Sequence, residues 1–179
     1  MKKNILLGVT ASIAAYQSPD LIKELKKEGW DVTVVLTRDA AHFVTPLTLQ
    51  TFSGREVVTD FFSPHSKPVH IELAQNSDLI LVAPATADVI GKIAHGLADD
   101  VLTCTILASE APVLVAPAMN DKMLNNAFTQ ENLARLRKNG FEIIEPVKGP
   151  LACGYEADGH IADNAAILKQ VRASLAKKK

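Results

Sequence analysis

A single doubly wound α/β domain with a mainly parallel sheet is what the sequence predicts, on three observations. Short aliphatic runs alternate along the chain with longer segments of helical periodicity. The runs Val32-Thr33-Val34-Val35-Leu36 and Leu79-Ile80-Leu81-Val82-Ala83 are nearly continuous in aliphatic residues, which suits strands covered on both faces. The chain has 179 residues, which fits one domain of roughly 100–200 residues with its own core.

Strands are expected at Asn4–Val9, Asp31–Leu36, Asp78–Ala83, Pro112–Ala116 and Phe141–Glu145. A first helix runs from a cap at Ser12 to about Glu28, burying Leu21, Ile22 and Leu25. Pro19 should kink or restart it, because proline lacks the N–H that a helix interior uses. Lys26 and Lys27 suit its negative end, and Gly29 suits the residue just past it. Asp88–Ser109 reads as a helix broken near Gly96, Asp121–Asn139 as a helix ended by Gly140, and Asn164–Leu175 as the closing helix. Lys177–Lys179 are left as a solvated tail. The alternation implies right-handed crossovers in a Rossmann or flavodoxin-like arrangement spanning residues 1–179, with no internal repeat or linker.

Composition narrows the function. With 19 Lys+Arg against 20 Asp+Glu, nothing electrostatic favours nucleic acid or an anionic membrane surface. An apolar share of 47% and a charged share of 22% exclude disorder. Two cysteines, Cys104 and Cys153, make no disulfide framework and point to a reducing, cytoplasmic setting. Lys2 and Lys3 ahead of Ile5-Leu6-Leu7-Gly8-Val9 mimic a signal peptide, but Thr10, Ser12, Tyr16 and Gln17 interrupt the apolar stretch. No run of about 20 apolar residues is present to span a membrane. Aromatic residues are 5% of the chain while 24 are Ala, an aliphatic surplus that hints at self-association.

In open parallel sheets, ligands bind beyond the carboxyl ends of the strands. The exits here are Gly8-Val9-Thr10-Ala11-Ser12, Thr37-Arg38, Pro84-Ala85-Thr86-Ala87-Asp88 and Pro117-Ala118-Met119-Asn120. Each exit offers small residues, hydroxyls or amides in place of bulk, which suits a flat cofactor with a phosphate tail. The first exit resembles a phosphate cradle, or else Ser12 simply caps a helix. It lacks both G-x-G-x-x-G and the P-loop pattern, which weakens NAD and ATP readings. Pro84-Ala85-Thr86 reads equally as a turn with Thr86 capping the next helix. Asn120 either caps a helix or offers its amide to a carboxylate, and Met119 and Met123, at i and i+4, read as core.

His70, in Pro68-Val69-His70-Ile71-Glu72-Leu73, is either a proton carrier near neutral pH or an ordinary surface or core histidine. His42, His65, His95 and His160 show no metal-ligand spacing among themselves or with the cysteines, so no metal site is expected. Cys153, in Gly149-Pro150-Leu151-Ala152-Cys153-Gly154-Tyr155, belongs to a loop where a thiol can act as acid or nucleophile. Cys104, in Val101–Leu107, reads as a buried spacer.

These segments together resemble the homo-oligomeric flavin-containing cysteine decarboxylases, and within them the branch acting on phosphopantothenoylcysteine in coenzyme A biosynthesis. The likeness covers nearly the whole chain. It is carried by Pro117-Ala118-Met119-Asn120-Asp121-Lys122-Met123, Ala83-Pro84-Ala85-Thr86-Ala87, His70-Ile71-Glu72-Leu73, Lys92–Asp100 and Leu151-Ala152-Cys153-Gly154, in order. The resemblance implies FMN against Thr10, Ala11, Ser12 and Thr37, with Ala85 and Thr86 nearby. It implies His70 as catalytic base, Asn120 and Met123 as substrate contacts, and Cys153 on a closing loop, serving the last reduction. The family's reaction oxidises the cysteine thiol, loses CO₂ and returns the electrons to the enethiol. Trimers, often stacked into dodecamers, hold FMN between subunits.

Three departures stand out: Leu124 where the family motif usually ends in Trp, Asp88 where Asn is usual, and Tyr155–His160 in place of a glycine-richer stretch. Cys153 favours the coenzyme A branch over the lantibiotic peptide decarboxylases. A flavin prenyltransferase and a non-catalytic FMN-binding regulator are the remaining alternatives. A chain of this length matches the decarboxylase unit without a fused ligase. The phosphopantothenate–cysteine ligase is then a separate protein, unless the chain is a fragment or a specialised paralogue.

Overall fold

Leu6, Leu7, Val34, Leu81 and Val115 are fully buried, so the strand that carries each must be covered on both sides. A computed structural model of the chain describes residues 2–62 and 68–177. Strands β1 (Asn4–Val9), β2 (Asp31–Leu36), β3 (Leu79–Ala85), β4 (Val113–Pro117) and β5 (Glu142–Ile143) form one sheet in the order β2-β1-β3-β4-β5. Every pairing is parallel, which is the predicted fold class with flavodoxin-like strand order. β1 and β2 have the predicted ends. β3 starts one residue late because Asp78 works as a pin, taking the Lys3 ammonium at 2.8 Å and the Asn4 N–H at 2.9 Å. β3 also runs on through Pro84 and Ala85, where a turn was expected, with its register to β4 shifting between Val82 and Ala85.

The pleat divides the core. Ile5, Leu7, Val9, Val34, Leu36 and Leu81 pack under the first helix layer, and Leu6, Val35, Ile80, Val82 and Val115 under the second. Each fully buried aliphatic side chain of this kind contributes about 1.5–3 kcal/mol. Gly8 has no side chain because there is no room for one. A Cβ there would lie 2.5 Å from Cδ1 of Leu102, itself fully buried.

The expected first helix is two pieces. Ser12 caps a 3₁₀ turn over Ile13–Gln17, and α1 (Ser18–Lys27) restarts with Pro19 in its first turn, where the missing N–H costs nothing. The predicted Asp88–Ser109 helix is likewise two pieces. Before them come two unpredicted short helices, α2 (Pro46–Ser53), capped by Thr45, and α3 (Val69–Asn76). α4 (Ala87–Ala94) and α5 (Val101–Ala108) are separated at Gly96, whose φ is 66°, and a reciprocal Asp100–Thr103 capping box starts α5. Cys104 on α5 is half-buried, not the buried spacer expected, and its thiol donates to the Ala98 carbonyl at 3.1 Å.

The predicted Asp121–Asn139 helix breaks into α6 (Asp121–Leu124) and α7 (Ala127–Lys138). Asn126 stops the first by accepting the Phe128 N–H, which caps the second. An unpredicted antiparallel hairpin follows, β6 (Val147–Pro150) and β7 (Glu156–His160). α8 (Asn164–Lys177) closes the fold, and Lys177 belongs to it, paired with Glu142 of β5 at 3.1 Å. His65, Lys178 and Lys179 lie outside the described residues. Among those described, no helix is long and apolar enough to cross a membrane.

Candidate active site

The sheet order reverses between β1 and β3, so their exits diverge and leave a crevice at the carboxyl edge. Side-chain hydroxyls tie the exits together. Fully buried Thr10 donates to the Pro84 carbonyl at 2.7 Å and accepts the Thr86 N–H at 3.0 Å. Ser12 donates to the Ala118 carbonyl at 3.2 Å while accepting the Ala14 N–H at 3.3 Å. Thr86 caps α4 through the Val89 N–H. Thr37 opens a 3₁₀ turn over Arg38–His42 with no cap bond from its hydroxyl.

Two depressions share this edge. One, of about 510 Å³, is lined by Ala11, Ser12, Ala118, Asn120, Met123 and Cys153 among others. The other, of about 530 Å³, is lined by Thr37, Arg38, Asp88 and Lys92 and meets the first at Ala11, Thr86, Ala87 and Met123. Met123, expected in the core, is 51% exposed, because α6 is a single turn at the rim of the sheet. Met119 does pack on the core. The Asp88 carboxylate is answered by Lys92 at 3.4 Å, and Lys92 also reaches Asp99 at 3.1 Å. Burial of Lys92 works against its charge, but the two carboxylates outweigh it and hold its pKa above the ordinary value.

Asn120 caps a helix, as one of its two readings expected. Its side-chain oxygen caps α6 by accepting the Lys122 N–H at 2.9 Å. Its amide nitrogen faces the crevice, donating to the Cys153 sulfur at 3.4 Å and to the Tyr155 hydroxyl at 3.0 Å. Cys153 is exposed and sits in the connection between β6 and β7. Tyr155, which sequence reasoning did not single out as a site residue, donates its O–H to Asp121 at 2.6 Å. That bond is the main reason its phenol is pushed up to about 12, with Asn120 opposing and Cys153 adding to the effect. The same bond holds the Asp121 carboxyl below its usual range.

The remaining predicted residues lie elsewhere. Ala85 is buried within β3, and neither it nor Thr10 lines either of these two depressions. His70 lies in the first turn of α3, edge-on to Phe61 with ring centres 5.7 Å apart. Its Nδ1 is buried with no hydrogen-bond partner among the described residues, and His70 lines neither depression. One chain therefore gathers Ala11, Ser12, Thr37, Thr86, Asn120, Met123 and Cys153 along one edge and leaves His70 apart.

Comparison with known proteins bears on this edge. The Flavoprotein family model matches residues 1–176. A probable phosphopantothenoylcysteine decarboxylase of Streptococcus mutans is 42% identical over 179 residues, covering 98% of this chain and all of that protein. The coenzyme A biosynthesis bifunctional protein CoaBC of Vibrio vulnificus is 48% identical over 163 residues, 90% of this chain. This chain spans only about two fifths (41%) of that relative's length. A solved structure of a PPC decarboxylase variant complexed with pantothenoylaminoethenethiol superposes with a TM-score of 0.87 at 36% identity, covering 97% of this chain and 98% of that one. The FMN-dependent cysteine decarboxylase SpaF also superposes at 0.87, with 30% identity, covering 98% and 96% of the two chains. A family match along nearly the full length, joined to superposition at a TM-score of 0.87, means that this chain belongs to the flavoprotein family.

Proposed function

We propose that the chain is an FMN-dependent decarboxylase converting 4′-phosphopantothenoylcysteine to 4′-phosphopantetheine in coenzyme A biosynthesis. The observation that carries this reading is the Asn120 amide 3.4 Å from the Cys153 sulfur, at the mouth of the crevice lined by Ser12 and Ala118. An amide that can grip a carboxylate thus stands beside a thiol that can supply a proton.

The crevice fits a flavin mononucleotide. Ala11, Ala14, Ala87 and Ala118 present only methyl groups, leaving room for a flat ring, and Thr37 and Thr86 offer hydroxyls for a ribityl phosphate, with Ser12 at the same edge. When bound, the flavin supplies two-electron oxidation of the substrate thiol and the later return of those electrons. Thr10 and Ser12 keep the strand exits in register beneath it. Asn120 orients the substrate carboxylate so that its C–C bond breaks toward the oxidised carbon, and Met123 closes the apolar wall. Cys153 delivers the proton that accompanies re-reduction, and His70 takes the substrate's proton.

His70 lines neither crevice of its own chain, while Ile13 and Tyr16 line the one that holds Asn120 and Cys153 yet are 54% and 63% exposed. Both facts support self-association, as a trimer or as a dodecamer built from trimers, that completes the site between subunits. The small-molecule substrate comes from a phosphopantothenate–cysteine ligase, the setting is cytoplasmic, and neither nucleic acid nor membrane takes part.

Purified protein should bind FMN stoichiometrically and release CO₂ from synthetic 4′-phosphopantothenoylcysteine, with the saturated thiol identified by mass spectrometry. Protein that takes up no FMN, or that holds FMN and leaves the substrate unchanged, would overturn the proposal.

A further inference from the structure

The hairpin β6–β7 is fastened to the site at two points. At its base, Met119 N–H donates to the Gly159 carbonyl at 3.0 Å, and a Cβ on Gly159 would collide with the Met119 carbonyl oxygen. At its tip, the Tyr155 O–H reaches the Asp121 carboxylate at 2.6 Å, a charge-assisted bond and the shortest in the cluster. Beside the second point, in the same connection, lies Cys153, held by the Asn120 amide at 3.4 Å. A sulfur is a weak acceptor, so that contact alone fixes the thiol poorly. The tip has little else to lean on: Cys153 and Gly154 are exposed, and Tyr155 is 43% exposed.

Donor counting sharpens the point. The Asn120 amide has two N–H groups, one directed to Cys153 and the other to Tyr155. An incoming carboxylate displaces the weaker of the two, the bond to sulfur. The bond to Tyr155 survives and keeps the amide oriented.

We propose that Tyr155 is a positioning residue: anchored by Asp121, it pins the hairpin tip to α6, aims the Asn120 amide and sets the Cys153 thiol against it. This rests on the roles proposed above for Asn120 and Cys153, but the pin itself can be read without any reaction. Asp121 is an acceptor only, so Asp121→Asn keeps an oxygen for the phenol, whereas Asp121→Ala removes it and Tyr155→Phe removes the donor.

The experiment measures iodoacetamide alkylation of Cys153 by peptide mass spectrometry, with Cys104 as internal control, together with amide hydrogen exchange over residues 151–160. Wild type, Tyr155→Phe, Asp121→Ala and Asp121→Asn are compared as full-length protein. Tyr155→Phe and Asp121→Ala should each speed Cys153 alkylation about fivefold and raise exchange at the tip, with Asp121→Asn within about twofold of wild type and Cys104 unchanged. Given phosphopantothenoylcysteine, the first two variants should still release CO₂ while leaking part of the product as the oxidised enethiol. Unchanged Cys153 alkylation and tip exchange in both Tyr155→Phe and Asp121→Ala would overturn the proposal. If wild type fails to decarboxylate, the proposed function falls, and the labelling result still decides the pin.

Discussion

The Thr10 hydroxyl donates to the Pro84 carbonyl at 2.7 Å across the two strands that flank the switch point, and in return accepts the Thr86 N–H at 3.0 Å. A single buried side chain thus joins the exits of β1 and β3.

Thr10→Val keeps the shape and removes the bonds, leaving a buried carbonyl and an N–H without partners. Stability in urea should fall by about 1–3 kcal/mol. FMN affinity should fall with it, and Thr10→Ser should restore most of both. A urea midpoint unchanged in Thr10→Val would show that water replaces the hydroxyl.

Gly8 and Leu102 should behave as one unit. Gly8→Ala places a methyl group 2.5 Å from a Leu102 methyl in a fully packed region and should cost about 1–3 kcal/mol. Leu102→Ala alone should cost about 2–5 kcal/mol. The double variant should be more stable than the sum of the two losses by at least about 1 kcal/mol, and simple additivity in chemical denaturation would refute the coupling.

The Tyr155 phenol provides a pH signature. Ultraviolet titration of the folded protein should show one tyrosine ionising near 12 in place of 10.0. A phenol whose folded pKa is raised lends its stabilisation fully below the unfolded value of 10.0, and that contribution is lost as pH climbs through 12. Hydrogen exchange at the hairpin tip should therefore rise over that window beyond the intrinsic base catalysis seen elsewhere, and Asp121→Ala should abolish the excess.

On the proposed reaction, His70 and Cys153 act at opposite ends of the sequence of steps. His70→Asn should retain the flavin spectrum and lose CO₂ release by about 100-fold or more. Cys153→Ser should release CO₂ and accumulate oxidised, decarboxylated product. Normal saturated thiol from Cys153→Ser would remove the thiol from its assigned step.

Much of the scaffold was legible because burial on two faces leaves a plain mark. Val32–Leu36 and Leu79–Ala83 read as strands since nothing polar but Thr33 interrupts them. Gly29 and Gly140 ended helices as expected, each with positive φ. The errors arose where local chemistry overrode periodicity. Asn126 turned its side chain onto the backbone and divided a continuous helical pattern into α6 and α7. α2 and α3, of eight residues each, are too short to show a convincing stripe. β6 and β7 carry Gly149, Pro150 and Gly159, which mimic a loop, and their pairing is anchored by Met119 from a distant segment.

The site divides the same way. Ala11, Ser12, Thr37, Thr86 and Asn120 could be named because a parallel sheet puts all its strand exits along one carboxyl edge. The Tyr155–Asp121 bond joins residues 34 apart with no local spacing to announce it. His70 could be named by resemblance, yet its chain neighbours place it beside Phe61 and outside the crevice.

Gly159 against the Met119 backbone makes the base of the hairpin a pivot fixed to the sheet, with residues 151–155 as the lever arm beyond it. Changes in the arm's length or composition alter reach over the crevice without passing strain into β4. That separates the reach of the loop from what keeps the molecule folded, and on the proposed function it marks those five positions as the place to rewrite substrate preference by loop grafting.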